Sequence, residues 1–413
     1  IAWGACLLFA LLVGTAIRRR PALQRARAAF AIAMILLPVA RMIWQPTAPR
    51  FPLEVTARPL GDPDRKLLVV GLEGFDAKVM LARSADARFG RLLSLREAGT
   101  WGPLSPHRPY LRRSLWTSVA TGTLPGRHGV KSHSGWELPW LRGEPLRLLP
   151  WTPQGSRMIL PWSVADRVEA PAASVPPLWE RIRASGAPTA VFDWPGIWGS
   201  EVALEEVPEP GLQGLDREIR SSLDWALEPF PERGEAIWKS IAADLGRVEG
   251  AVAAMESGAR NVWLILESLS TARRELEPIK AMHTREREVQ ALVFEIVDTQ
   301  LGALLDAAGP ELTLAVVSPY GLAPPDSLER LRRLLGVGDD WRSSADTCPD
   351  GLLLLAGEGV PQNGRFSAAR MADVAPTLCY LLGLPVPQYM EGGIIVDAVE
   401  ADFLRRNPLR VVD

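Results

Sequence analysis

Cysteine is nearly absent from this 413-residue chain: there are 3, Cys6, Cys348 and Cys379, far apart and without a C-x-x-C pair. That spacing supports neither a thiolate metal site nor a disulfide framework. Cys379, inside an apolar helical run, reads as a small packed hydrophobe. An excess of one charge is also missing. The formal net charge is −2, which gives no overall pull toward nucleic acid or acidic partners, and no basic–aromatic interleaving of a nucleic-acid binder occurs. No G-x-G-x-x-G, P-loop, G-x-S-x-G or H-E-x-x-H pattern appears. Histidine is scarce too, with 4 in all: His107, His128, His133 and His283. What is plentiful is apolar residues, 47% of the chain, ample for a large buried core.

Two of the apolar runs stand at the start. IAWGACLLFALLVGTAI, residues 1–17, carries no charge and would span roughly 25 Å as a helix. RRRPALQRAR follows with Arg18, Arg19, Arg20, Arg25 and Arg27, then AAFAIAMILLPVARMIW over residues 28–44, with Arg41 placed to snorkel and Trp44 suited to an interface. A cleaved signal peptide competes for the first run, but a second run beyond an arginine-rich loop favours two transmembrane helices, about 1–17 and 28–44. The positive-inside rule then puts the loop, 18–27, in the cytoplasm and everything after Trp44 on the extracytoplasmic (periplasmic) side. Residues 45–65, with five prolines, read as an extended linker.

From Lys66 the pattern changes. KLLVVGLEG (66–74), PTAVFDWP (188–195), NVWLILESL (261–269), LTLAVVSP (312–319) and GLLLLAGEG (351–359) are unalternating and rich in Val and Leu, as strands buried on both faces of a parallel sheet are. Helices are expected over 177–184, 231–257, 271–308 and 371–382. Residues 66–413 are read as one α/β domain with two insertions. The first, about 132–175, holds Trp136, Trp140, Trp151 and Trp162. These tryptophans are either a partner contact surface or pins holding a long loop to its own core. The second, about 201–258, is helical and charged.

Several of these segments carry a family likeness. VVGLEGFD (69–76), SLWTSVATGTLPGRHGV (114–130), SVPPLWERIRASGAPTAVFDWPG (174–196) and MADVAPTLCYLLGLPVPQYMEGG (371–393), in that order, resemble the type I phosphodiesterase/nucleotide pyrophosphatase family of the alkaline phosphatase superfamily. The T-G-x-x-P-x-x-H-G ending is present at Thr121, Gly122, Pro125, His128 and Gly129. The last segment puts Asp373 at the cap of a helix with Pro376 in its first turn. The resemblance implies an alkaline-phosphatase-like α/β fold, a mostly parallel central sheet covered by helices on both faces, here preceded by the two transmembrane helices.

It also implies what an active site would hold: two divalent cations, usually zinc, about 4 Å apart, six Asp and His ligands, and a Thr or Ser nucleophile. Carried over position by position, the residues differ. The first aspartate is Glu73. The nucleophile position falls at Arg112, or at Arg113 with a one-residue slip. The next aspartate and histidine fall at Ser270 and Arg274, the Asp-His turn becomes Pro319 and Tyr320, and the last histidine falls at Thr347. The described histidine distribution leaves only His283 in the C-terminal half, so no small shift of register supplies the missing imidazoles.

The degenerate former site therefore comprises Glu73, Arg112, Ser270, Arg274, Pro319, Tyr320 and Thr347, with no catalytic residue, metal ligand or cofactor expected. Glu73, a buried carboxylate, is expected to pair with one of Arg112, Arg113 or Arg274, a protein cation standing in for metal. Tyr320 is read as pocket filler, Asp76 and His128 as scaffold, and His283 as solvated. The functional expectation is a membrane-anchored, catalytically inactive domain serving as a structural or binding subunit. Its expected partners are the membrane and other subunits of a membrane complex, with no nucleic acid and no small-molecule substrate. The alternative is a metal-dependent phosphodiesterase or phosphatase with a rearranged site drawing on Asp76, His107 and Glu267. A third reading is a metal-free receptor whose arginines hold a phosphorylated ligand.

Overall fold

The computed structural model describes residues 65–76, 90–107, 112–130, 173–195, 215–276, 284–321 and 349–412 in full, and 134–137 and 166–169 by backbone alone. The expected membrane helices and linker, Trp140, Trp151, Trp162, Thr347, His133 and His283 lie outside these residues. No helix among the described residues is long and apolar enough to cross a membrane.

In chain order the elements are β1 (Lys66–Leu72), α1 (Gly90–Ala98), β2 (Thr100–Ser105), α2 (Arg112–Thr121), α3 (Pro125–His128), the antiparallel pair β3 (Ser134–Glu137) and β4 (Asp166–Glu169), α4 (Leu178–Ala184) and β5 (Thr189–Phe192). Then come α5 (Arg217–Leu227), α6 (Pro231–Glu256), β6 (Asn261–Leu266), α7 (Ser268–Leu276), α8 (Thr284–Ala308), β7 (Leu312–Tyr320) and β8 (Asp350–Ala356). The chain closes with β9 (Gly364–Arg365), β10 (Ala369–Arg370), α9 (Val374–Leu381), β11 (Val386–Pro387), α10 (Ala401–Arg406) and β12 (Val411–Val412).

The central sheet has the order β10-β2-β8-β7-β1-β6-β5, with β9 also on β2. Both faces of β1 are apolar because both are covered. Leu67 and Val69 join one core with Trp116, Leu178 and Leu378, while Leu68, Val70 and Leu72 join the other with Ile241, Val293 and Leu304. Four buried tryptophans, Trp116, Trp179, Trp194 and Trp263, meet edge to face at centroid distances from 5.0 to 5.9 Å. Such pairs add about 0.5–1.5 kcal/mol each beyond area burial. Gly71 makes room for this cluster, since a Cβ there would lie 2.7 Å from the Trp116 ring.

Three expectations change in the structure. The sheet is mostly parallel, but β8 runs antiparallel to both β7 and β2. A continuous apolar run reports burial on two faces and says nothing of direction. The helix expected over 271–308 is two described helices, α7 and α8, and the first starts earlier, at Ser268. Asp373 precedes α9, yet its carboxylate makes no cap bond to that helix. It accepts instead from the Arg370 and Gly393 backbone N–H groups, at 2.8 and 2.9 Å, and from the Arg370 guanidinium.

Candidate functional site

Four neighbouring strands, β7, β1, β6 and β5, run parallel, so their carboxyl ends come out together, where open α/β sheets collect functional groups. Each ends on a polar residue: Tyr320 closes β7, and Glu73, Glu267 and Asp193 directly follow β1, β6 and β5. Local backbone geometry locks the first two loops together. Gly74 takes φ 77°, the left-handed region glycine favours, and bridges Gly321. Phe75 N–H donates to Ser318 Oγ at 3.0 Å. A side chain on Gly321 would stand 2.5 Å from Asp76 Oδ2, so the carboxylate of Asp76 closes over bare backbone.

Arg112, the first residue of α2, reaches into this group. Its Nε donates to Glu73 Oε1 at 2.8 Å and its Nη2 to Glu267 Oε1. The Tyr320 hydroxyl donates to the same Glu73 oxygen at 2.5 Å. Glu73 is 5% exposed and would be a costly isolated charge without these donors. Burial works to lower the pKa of the Arg112 guanidinium. The Glu73 carboxylate beside it, with Tyr320 and Asp193 nearby, outweighs this and holds it above the ordinary arginine value.

A second ionic chain runs behind the first. Arg247 of α6 donates through Nε, at 3.1 Å, and Nη2 to Asp193 Oδ2, and through Nη1 to Asp244 Oδ1 at 2.7 Å. Asp244, fully buried, accepts from the Glu267 and Ser268 backbone N–H groups at 2.8–3.0 Å and so caps the start of α7. Burial pushes its carboxyl up to about 6, against the pull of Arg247 and Ser268. Asp193 has φ 52°, a left-handed conformation that Asp tolerates better than most residues. A third pair joins Asp76 to Arg273 Nη1 at 3.7 Å, and the same nitrogen donates to the Gly74 carbonyl at 2.8 Å.

Of the positions expected from sequence, the structure brings Glu73, Arg112 and Tyr320 together. The expected arginine partner of Glu73 is Arg112, not Arg274. Tyr320 is more than filler, because its hydroxyl is bonded to the buried carboxylate. Ser270 turns back to the Glu267 carbonyl at 3.0 Å, and Arg274 turns along its own helix to Thr271 Oγ1 at 3.2 Å and Glu275 at 3.6 Å. Pro319 sits within β7 between Ser318 and Tyr320, which pair with Leu352 and Asp350. Arg247, Asp193 and Asp244 were not anticipated. Asp244 carried a legible signal: it lies on the helical stripe of Ile237, Ile241, Val248 and Ala251, where a lone carboxylate must find a buried partner.

The T-G-x-x-P-x-x-H-G segment is structural. His128 is fully buried; its Nδ1 accepts from Val130 N–H at 3.1 Å and its Nε2 lies 3.0 Å from Ser118 Oγ. With Nδ1 an acceptor, Nε2 carries the proton and donates to Ser118. Ser118 then donates to His107 Nε2 at 3.1 Å. Burial lowers His107 to about 4, opposed by the Ser114 backbone, and keeps it neutral at pH 7. Gly122 and Gly129, at φ 67° and 79°, end the two helices of the segment.

The cations implied by the resemblance do not fit these residues. Arg112, Ser270, Arg274, Pro319 and Tyr320 supply no imidazole or carboxylate, and Glu73 is already held by a guanidinium. Asp76, His107 and Glu267 do not converge either. Among the described residues no group of three or more His, Cys, Asp or Glu side chains gathers to hold a metal.

The comparisons agree on the scaffold. The sequence profile of the type I phosphodiesterase/nucleotide pyrophosphatase family matches residues 67–349, more than half of the chain. Curated relatives include 2,3-bisphosphoglycerate-independent phosphoglycerate mutases. That of Cyanothece sp. is 31% identical over 137 residues, 31% of this chain and 24% of that protein. That of Synechococcus sp. is 30% identical over 198 residues, 44% and 34% respectively. The matches thus span a quarter to a third of those proteins. Among solved structures, a provisionally assigned sulfatase from Bacteroides thetaiotaomicron superposes with TM-score 0.51 at 14% identity, covering 81% of this chain and 74% of that one, which shows the fold. Murine ectonucleotide pyrophosphatase/phosphodiesterase 5 superposes with TM-score 0.45 at 13% identity, covering 81% and 100%. The chain belongs to the type I phosphodiesterase/nucleotide pyrophosphatase family.

Proposed function

We propose that this chain is a non-catalytic member of its family, a phosphodiesterase-like domain that serves as a structural or binding subunit of a membrane complex. One observation carries the reading. At the strand ends, where the family resemblance places nucleophile and metal ligands, Arg112 and the Tyr320 hydroxyl are bonded to Glu73, and the guanidinium also holds Glu267. A guanidinium cannot deprotonate to attack phosphorus. Part of the negative charge of Glu73 and Glu267 is offset from within, by one guanidinium. The membrane side of the proposal rests on the apolar runs 1–17 and 28–44 and the arginines between them, which orient the domain to the extracytoplasmic side.

Two experiments test it. Purified protein is incubated with a chromogenic phosphodiester and added Zn2+ or Mn2+; no turnover above the metal-only background is expected, and turnover that saturates with substrate overturns the reading. Co-purification in mild detergent is expected to bring down a reproducible, stoichiometric set of proteins. A chain that elutes alone, with metal and with activity, is an enzyme on extracytoplasmic phosphoesters instead.

A further inference from the structure

The parallel strands give the domain two ends. Their carboxyl ends carry the Glu73–Arg112 group, and their amino ends lie where the chain enters at Arg65 and Lys66. Arg65 is built into that amino end. Its Nη1 donates at 2.6 Å to the Leu381 carbonyl, at the close of α9, and its Nη2 pairs with Glu358 at 3.2 Å. The guanidinium lies 5.9 Å from the centre of the Phe403 ring of α10. The last segment of the described chain docks at the same place. Arg410 donates to the Gly383 carbonyl at 2.7 Å, two residues beyond Leu381, and the Tyr380 hydroxyl donates to the Asn407 carbonyl at 2.5 Å. The Val386 and Gln388 N–H groups donate to the Arg410 and Val412 carbonyls at 2.8 and 2.7 Å, which fixes β12 against β11.

Leu409 and Val411 stand in this fixed segment, 53% and 58% exposed. Two residues apart, they share one face of extended backbone, and Arg410 between them turns the other way, back to the domain. Arg405 and Arg406, both exposed, close the neighbouring α10. Trp225 is the contrasting case. It is as exposed as they are, but Arg285 stacks on its ring at 4.3 Å, and it lies at the opposite end of the domain. From Arg285 the helix α8 runs back to Ala308, whose carbonyl accepts from Lys66, a length of about 37 Å.

We propose that the face made by Leu409 and Val411, with Arg405 and Arg406 beside it, is a lipid-contacting surface that seats the amino end of the sheet on the bilayer. The inference rests on the membrane-anchored reading and adds which end of the domain faces the lipid. The position of the tether selects this occupant. The runs 1–17 and 28–44 connect to the domain through 45–64, and Arg65, which follows, is bonded to α9 two residues from the carbonyl that holds Arg410. A tethered surface meets its target at an effective concentration of about millimolar, so contacts too weak to retain a free protein retain this one. Aliphatic side chains enter the boundary between headgroups and acyl chains, while arginines stay at the level of the phosphates. Asp397, Glu400 and Asp402 balance Arg405, Arg406 and Arg410 over residues 396–412, so apolar contact outweighs attraction to anionic lipid. The Glu73–Arg112 group at the other end then faces away from the bilayer.

The test uses the full chain with Cys6→Ser and Cys348→Ser; Cys379 is buried and stays unlabelled. Leu409→Cys, Val411→Cys and, as the reference at the opposite end, Ser221→Cys on α5 each carry an environment-sensitive fluorophore. The protein is reconstituted into phosphatidylethanolamine/phosphatidylglycerol vesicles containing acyl-chain spin labels as quenchers. The first two labels are expected to be quenched at least about twofold more than the reference, because only they reach the acyl boundary. Replacing phosphatidylglycerol by phosphatidylcholine is expected to change this little. Quenching equal to the reference overturns the proposal. With the fluorophore moved to Arg405→Cys, the added pair Leu409→Asp/Val411→Asp is expected to bring quenching down to the reference level, and unchanged quenching overturns the proposal. Shielding of the first two labels in native membranes but not in lipid alone assigns the face to a protein partner and overturns it as well. A chain that a carbonate wash strips from the vesicles sinks the membrane-anchored reading and this inference with it. A chain that stays embedded with all labels equally unquenched sinks this inference alone.

Discussion

Two regions of this domain meet at α2 and are held together in different ways. The carboxyl-terminal half of α2 and the turn after it, through Gly129, keep the residues of the family motif, and the structure explains why: each has a mechanical task. His128 ties Val130 to Ser118, Ser118 continues to His107, and Gly122 and Gly129 supply the left-handed turns. The other region lies at the amino-terminal end of α2 and the ends of β1, β6 and β7. There one guanidinium, Arg112, holds both Glu73 and Glu267, and the Tyr320 hydroxyl donates to Glu73. The comparison teaches that the two ends of α2 are held by different forces: hydrogen bonds and turn geometry at one, ion pairs that reach across strand ends at the other.

Breaking the first region is expected to do the most damage. His128→Ala removes a buried ring with its hydrogen bonds to Ser118 and Val130 and leaves the buried Val130 N–H unsatisfied, at a cost of about 3–5 kcal/mol. A urea midpoint equal to wild type would refute the structural role of the motif. Next comes Arg112→Ala in metal-free buffer. Breaking a buried pair costs about 3–5 kcal/mol. Because the side chains of Arg112 and Glu267 are 31% and 29% exposed, about 1–3 kcal/mol is expected, and Glu73→Gln in the same chain should recover part of it. A loss unaffected by Glu73→Gln would mean that the ion pair is not the cause. Tyr320→Phe deletes one hydrogen bond to a charged group, about 1.5 kcal/mol. Arg274→Ala, which touches only its own helix in the bonds described, is expected to change stability by under about 0.5 kcal/mol. A larger loss there would return Arg274 to the site.

Much of this was legible before the structure. Unalternating runs such as KLLVV and NVWLIL gave strands covered on both faces, and one buried acid with arginines at a former nucleophile position gave the Glu73–Arg112 pair. What stayed hidden has physical causes. The strand β2, TWGPLS, was not anticipated because Gly102 and Pro103 are poor strand formers; Gly102 is there because Phe366 packs where a Cβ would stand, 2.4 Å away. The antiparallel setting of β8 depends on the path of the chain between strands, which composition does not record. In the Asp193–Arg247–Asp244 chain, Arg247 and Asp244 are an i,i+3 pair on one helix, but Asp193 is 54 residues from Arg247, and only three-dimensional packing selects such a partner.

The smallest effect expected in the wild-type protein is a cancellation, and it sets the two regions against each other through pH. His107, in the motif region, has its folded pKa lowered to about 4 from an ordinary 6.5. Between those values the unfolded chain binds the proton and the folded chain does not, so acidification lowers stability. Asp244, behind the strand ends, has its folded pKa raised to about 6 from 3.8. Between those values the folded chain binds the proton first, so acidification raises stability. From pH 6 to pH 4 the two contributions oppose each other, each with a slope of up to about 1.4 kcal/mol per pH unit. Urea midpoints at pH 6, 5 and 4 should reveal the hidden terms through slopes, whatever each substitution does to the baseline. Relative to wild type, His107→Gln should tilt the profile toward greater stability in acid and Asp244→Asn toward less. Slopes that match wild type in both variants would show that neither group titrates apart from its unfolded value, and would remove the buried charge at Asp244 from the account of what holds α6 to the start of α7.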